Sequence, residues 1–158
     1  MVSEANDPAA TAAGLQAILE MLPHRFPFLL VDRVVACEPG RSLRAIKNVT
    51  ANDAVLPIQD GLPAAFPATL LVESMAQATG LLAVLSAEEQ TRGLAFFLIG
   101  IDQARFHGAA RVGDRILIEV EVVRITQGVG KFNVEAWVRD QRIARLELMC
   151  AARPGAPV

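Results

Sequence analysis

Pro57 to Ser86 reads PIQDGLPAAFPATLLVESMAQATGLLAVLS, and its second half decides the fold. From Ala68 onward the residues are apolar on nearly every face of a helix, interrupted only by Glu73, Ser74, Gln77 and Thr79. A helix apolar all round is normally buried inside a domain. Pro67 suits its start, where a missing N–H costs nothing, whereas Gly80 weakens its middle by about 1 kcal/mol relative to Ala and is expected to mark close backbone approach. An ionised carboxylate on such a helix needs a reason, because desolvating it costs several kcal/mol without a partner. Glu73 is therefore the first candidate functional residue. The bland alternative is a buried carboxylate held by Gln77 one turn on, since i,i+4 side chains are neighbours.

Upstream, Leu15, Ile18, Leu19 and Leu22 predict a short amphipathic helix over Gly14 to Met21, ended by Pro23. Phe28 to Val35 and Ser42 to Val49 read as a hairpin around the turn residues Glu38-Pro39-Gly40. Thr50 to Pro67 shows no sustained periodicity and is expected to be a long loop, a kind of segment that often carries function. Downstream, LAFFLIGI (Leu94 to Ile101) is a continuous apolar run suited to a central strand. Three alternating strands follow, Arg115 to Ile125, Lys131 to Arg139 and Ile143 to Ala152. In the first, Ile116, Ile118, Val120 and Val122 share a face; in the second, Phe132, Val134, Ala136 and Val138 do. An antiparallel sheet packed on one buried helix is an α+β domain. Open sheet edges on so small a unit predict a dimer.

The bounds agree. A chain of 158 residues fits one domain, with residues 1–12 and 153–158 expected to be flexible ends. Hydrophobic residues make up 53% and the formal charge is −2, which argues against disorder and against a nucleic-acid partner. The longest apolar run, Ala76 to Ser86, is short for a bilayer, no secretory leader is legible at the start, and the cytoplasm is the expected location. Cys37 and Cys150 read as reduced core thiols, and no metal-ligand spacing exists.

Four collinear segments carry a resemblance: LPHRFPFLLVDRV (Leu22 to Val34), FPATLLVESMAQATG (Phe66 to Gly80), FLIGIDQARFHGAARVGDRI (Phe97 to Ile116) and the last strand ending ELMCAA (Glu147 to Ala152). Together they resemble the 3-hydroxyacyl-acyl carrier protein dehydratases of fatty-acid synthesis. The resemblance implies a hotdog fold, an antiparallel sheet wrapped around a central helix, with two subunits joining their sheets. It also implies an acyl thioester carried on the phosphopantetheine of acyl carrier protein or coenzyme A, and no cofactor.

In that family a loop histidine and an acidic residue on the other subunit's helix form the site, within a motif resembling GHFPxxPxxPGxxxxE. Glu73 matches the acid. Counting back fourteen positions gives Gln59, and the loop reads Ile58-Gln59-Asp60-Gly61 where the family shows Gly-His-Phe-Pro. The chain's two histidines, His24 and His107, lie outside this loop. Dehydration needs a base for the Cα proton, an acid for the leaving hydroxyl and donors for the thioester oxygen. An amide such as Gln59 takes no proton, though it orients a carbonyl or water. Glu73 and Gln59 are thus the candidate catalytic pair, with Ala68, Thr69 and Gln77 as candidate substrate contacts, the first two through free N–H groups at the helix start. Asp60 reads as a turn former and His24 as a packing residue. The expectation is an acyl-thioester protein of dehydratase ancestry with weak or absent dehydratase activity. A partner to an active paralogue and a thioesterase using Glu73 are the other readings.

Overall fold

A computed structural model describes residues 12–87 and 94–153. The expectations placed on 1–11, on Glu88, Glu89 and Arg92, and on 154–158 lie outside the described residues. The elements run α1 (Leu15–Met21), β1 (Arg33–Glu38), β2 (Ser42–Asn48), β3 (Ile58–Gln59), β4 (Leu62–Pro63), α2 (Ala68–Leu85), β5 (Ala95–Phe106), β6 (Arg115–Thr126), β7 (Val129–Val138) and β8 (Gln141–Arg153). Six strands form one antiparallel sheet in the order β1-β2-β6-β7-β8-β5, and α2 packs on its inner face. This is the hotdog arrangement.

Alternation builds the face that meets α2. Ile116, Ile118 and Val120 from β6, Phe132, Val134 and Ala136 from β7, and Leu146, Leu148 and Cys150 from β8 are buried against Leu71, Met75, Ala78, Leu81 and Leu82 of α2. By length and mean hydropathy, 1.5 over 18 residues, α2 alone would suffice to cross a bilayer. Half of it is instead buried by the protein, which makes it a core helix. Two of its buried polar residues are satisfied locally: Ser74 Oγ donates to Leu70 O at 2.8 Å and Thr79 Oγ1 to Met75 O at 2.9 Å.

Several expectations need correction. The first strand starts at Arg33, not Phe28, because Phe28 and Leu30 bond to Gln77 of α2 and the chain first meets β2 at Asp32, whose N–H donates to Ile46 O at 2.8 Å. LAFFLIGI is not a central strand. It belongs to β5, which lies at the sheet edge, and there Phe97, Leu98 and Ile99 are all exposed. A continuous apolar run is also what an edge needs where a second surface covers it. Arg153, expected in a loose tail, is paired with Ala95. The loop before α2 contains a two-residue hairpin, Ile58-Gln59 against Leu62-Pro63, turning at Asp60 (φ 52°) and Gly61 (φ 78°). Two successive left-handed residues make the type I′ turn that Asp-Gly favours, so Asp60 is the turn former its residue type implied.

Gly80 does not mark an obligatory close approach. A methyl built on it would lie 3.6 Å from Leu22 Cδ2, an ordinary van der Waals contact. Gly80→Ala is expected to stabilise the protein by about 1 kcal/mol, raising Tm by roughly 3 °C. Thermal unfolding followed through Trp137 checks this, and a lower Tm would refute it.

Candidate functional site

The site is built where the segment after α1 turns back onto α2. Arg25 Nη1 donates to the Leu22 and His24 carbonyls, each at 2.8 Å, fastening the end of α1 to the turn. Phe28 N and Leu29 N both donate to Arg25 O, so His24-Arg25-Phe26-Pro27-Phe28 folds tightly, leaving Phe26 and Phe28 exposed. Buried Leu30 and Val31 then seat the chain in the core.

Gln77 joins this segment to α2. Its Oε1 accepts from Leu30 N at 2.9 Å, and its Nε2 donates to Phe28 O at 2.7 Å and to Glu73 Oε1 at 2.8 Å. Those contacts saturate most of the amide, and its side chain is buried. Gln77, a candidate substrate contact from the sequence, is engaged with its own chain. Glu73 is held by Gln77 one turn on, as its bland reading had it, but it is not a buried carboxylate: 40% of its side chain is exposed.

The second neighbour of Glu73 is one that the sequence left aside. His24 Nε2 lies 3.3 Å from Glu73 Oε1, with 34% of the imidazole side chain exposed. Nδ1 on the far side of the ring is buried and has no hydrogen-bond partner. His24 thus meets Glu73 through one ring nitrogen and leaves the other without a partner among the described residues. The other histidine, His107, is exposed in a connection after β5.

Ala68 and Thr69 open α2 and are exposed. Pro67 provides no side-chain cap, no acidic residue occupies the first turn, and the first intrahelical bond is Leu71 N to Pro67 O at 2.9 Å. The N–H groups of Ala68, Thr69 and Leu70 precede it and point along the positive end of the helix dipole. The loop leading there is anchored by Lys47, whose Nζ sits 2.9 Å from Asp53 Oδ1 and 5.9 Å above the Phe66 ring. Asp53 Oδ2 also accepts from Thr50 N at 2.8 Å, which pins the loop start.

Gln59 is exposed on the hairpin ahead of α2, and its side chain makes no hydrogen bond among the described residues. Within one chain the structure therefore brings Glu73 together with Gln77 and His24, and not with Gln59. At the far end of α2, Ala83, Ser86, Phe96, Val122, Phe132 and Cys150 help to line a groove of about 670 Å³. Burial pushes the Cys150 thiol up to about 11 and raises Cys37 as well, so both stay protonated near neutral pH as inert core groups. No cluster of three or more possible metal ligands occurs among the described residues.

Residues 22–147 match the family described as the FabA-like domain. The chain is 42% identical to the 3-hydroxyacyl-acyl-carrier-protein dehydratase FabZ of Sodalis glossinidius, over 88% of this chain and 92% of that protein. It is 44% identical to the FabZ of Shewanella oneidensis, over 86% and 90%. The chain belongs to the 3-hydroxyacyl-acyl carrier protein dehydratase family. Family membership thus rests on nearly the whole length of the relatives, including the helix that carries Glu73. Among solved structures, the dehydratase heterocomplex ApeI:P from Xenorhabdus doucetiae superposes with a TM-score of 0.74 at 20% identity, covering 86% of this chain and 90% of that one. Smu.793 from Streptococcus mutans, bound to acetyl CoA, superposes with 0.65 at 15% identity, covering 86% and 98%. At those identities the likeness is one of fold.

Proposed function

We propose that the chain, as a single domain, binds 3-hydroxyacyl and related acyl thioesters, and that its own dehydratase activity is weak or absent. The observation that carries this is Gln59. By the resemblance it takes the family's histidine position, it lies on an exposed Asp-Gly hairpin, and an amide cannot accept the Cα proton. A lost acid–base group lowers the rate by roughly 10²–10⁴-fold. Binding elements remain. The free N–H groups at Ala68 and Thr69 suit a thioester oxygen, and the groove at the end of α2 has the size of an acyl pocket. The acyl group arrives on the phosphopantetheine of acyl carrier protein or coenzyme A, in the cytoplasm, and no cofactor takes part.

The exposed apolar edge of β5 favours a homodimer through that strand. A heterodimer with an active paralogue, to which this chain lends Glu73, is the second reading; the two-component dehydratase complex among the fold relatives favours it.

The test incubates the purified chain with 3-hydroxyacyl thioesters on acyl carrier protein and on coenzyme A, following binding, enoyl product and free acid. Saturable binding is expected, with enoyl formation at least about 100-fold slower than by the Shewanella oneidensis relative assayed alongside. Turnover at the relative's rate would sink the weak-activity reading, failure to bind either thioester would sink the proposal whole, and release of free acid would instead make the protein a thioesterase.

A further inference from the structure

We infer that His24 and Glu73 of the same chain form a proton-transfer pair, with His24 taking the place of the base that the loop lacks. The inference rests on the acyl-thioester reading above and assigns the residual chemistry of that site. Three observations carry it. His24 Nε2 is 3.3 Å from Glu73 Oε1, both side chains are open to solvent by about a third or more, and the ring's remaining nitrogen faces no competing partner. Imidazole is the one side chain that ordinarily exchanges its proton near neutral pH.

The pair works with one proton between its two members. On a 3-hydroxyacyl thioester, neutral His24 Nε2 removes the Cα proton and the C–H electrons form the Cα–Cβ double bond. The Cβ–O bond breaks, and its oxygen takes the proton of Glu73 and leaves as water. Protonated His24 then returns its proton to Glu73 across the 3.3 Å contact, restoring the start. No oxidant or reductant enters. Gln77, donating to Glu73 Oε1, leaves the second carboxylate oxygen for the substrate hydroxyl.

The charged groups on the elements around His24 are Glu73 on α2, Arg25 beside it and Glu20 on α1. Arg25 is spent on backbone carbonyls, and Glu20 accepts from Gln16. Glu73 is the one in contact with the ring.

The experiment follows enoyl formation from 3-hydroxydecanoyl-pantetheine at high protein concentration, with Cα deuterium uptake in D2O, across pH. Wild type is expected to be slow, with a pH profile that depends on both members of the pair. His24→Gln should lower both rates by about 100-fold or more and change the shape of that profile, while His107→Gln keeps the wild-type rate and profile. A His24→Gln protein within threefold of wild type with an unchanged profile overturns the inference. So does a wild type that binds the thioester without exchange or turnover, an outcome that leaves the binding reading intact; loss of binding by wild type defeats that reading separately. If His24→Gln fails to fold, as Trp137 emission would show, Glu73→Gln replaces it. With two histidines in the chain, NMR resolves both rings. The His24 ring signals must shift in Glu73→Gln while those of His107 stay put, and unmoved His24 signals overturn the pairing.

Discussion

Gln77→Glu is expected to destabilise the protein by about 4 kcal/mol, lowering Tm by roughly 10–15 °C, and to release the segment that carries His24. The substitution keeps the size and shape of the side chain and changes one atom from donor to acceptor. That atom, Nε2, donates to Phe28 O and to Glu73 Oε1, so the new carboxylate oxygen would face a carbonyl and a second carboxylate. Each orphaned buried group costs about 1–3 kcal/mol, and like charge one turn apart adds to it. Gln77→Leu adds no charge but removes a third hydrogen bond, from Leu30 N to Oε1, and should cost about 3–4 kcal/mol, close to the isosteric change. Urea unfolding of both variants checks these costs. If Gln77→Glu costs less than about 1 kcal/mol, the donor role given to Nε2 is wrong.

What the sequence made legible follows from range. Helix α2 announces itself because eighteen residues with few polar interruptions have no other stable place, and the face shared by Ile116, Ile118 and Val120 shows in the period of two. Glu73 stood out for the same reason, as a charge in an apolar run, although in the structure it is nearly half exposed. Leu22 to Asp32 was not legible. Two of its backbone groups, Phe28 O and Leu30 N, are satisfied by one side chain, Gln77, lying 47 residues beyond Leu30, and no local pattern encodes such a partner. The approach of His24 to Glu73 depends on that docking and was hidden with it. Asp60 was legible as a turn former, yet the hairpin around it was not, because strands of two residues are too short to show alternation. The edge position of β5 was misread because a strand buried on both faces and a strand awaiting a partner have the same composition.

Gln59→His is expected to raise enoyl formation by about 100-fold or more, and in doing so to make His24 dispensable. The resemblance implies a loop histidine fourteen residues before the helix acid, and Gln59 stands at that spacing from Glu73. The side chain of Gln59 makes no hydrogen bond among the described residues, so the exchange breaks none. The hairpin itself is set by Asp60 and Gly61, whose left-handed backbone an imidazole at the preceding position does not disturb. With a loop base restored, two imidazoles compete to take the same Cα proton, and groups serving one step are not additive. His24→Gln should then cost less than about tenfold in the Gln59→His background, against about 100-fold in wild type. A four-member cycle of wild type, the two single variants and the double variant reads this directly. Equal losses in both backgrounds would mean that His24 supports the site by packing rather than by moving protons. No gain from Gln59→His would mean that the Asp-Gly hairpin, and not the missing imidazole alone, keeps the loop out of the reaction.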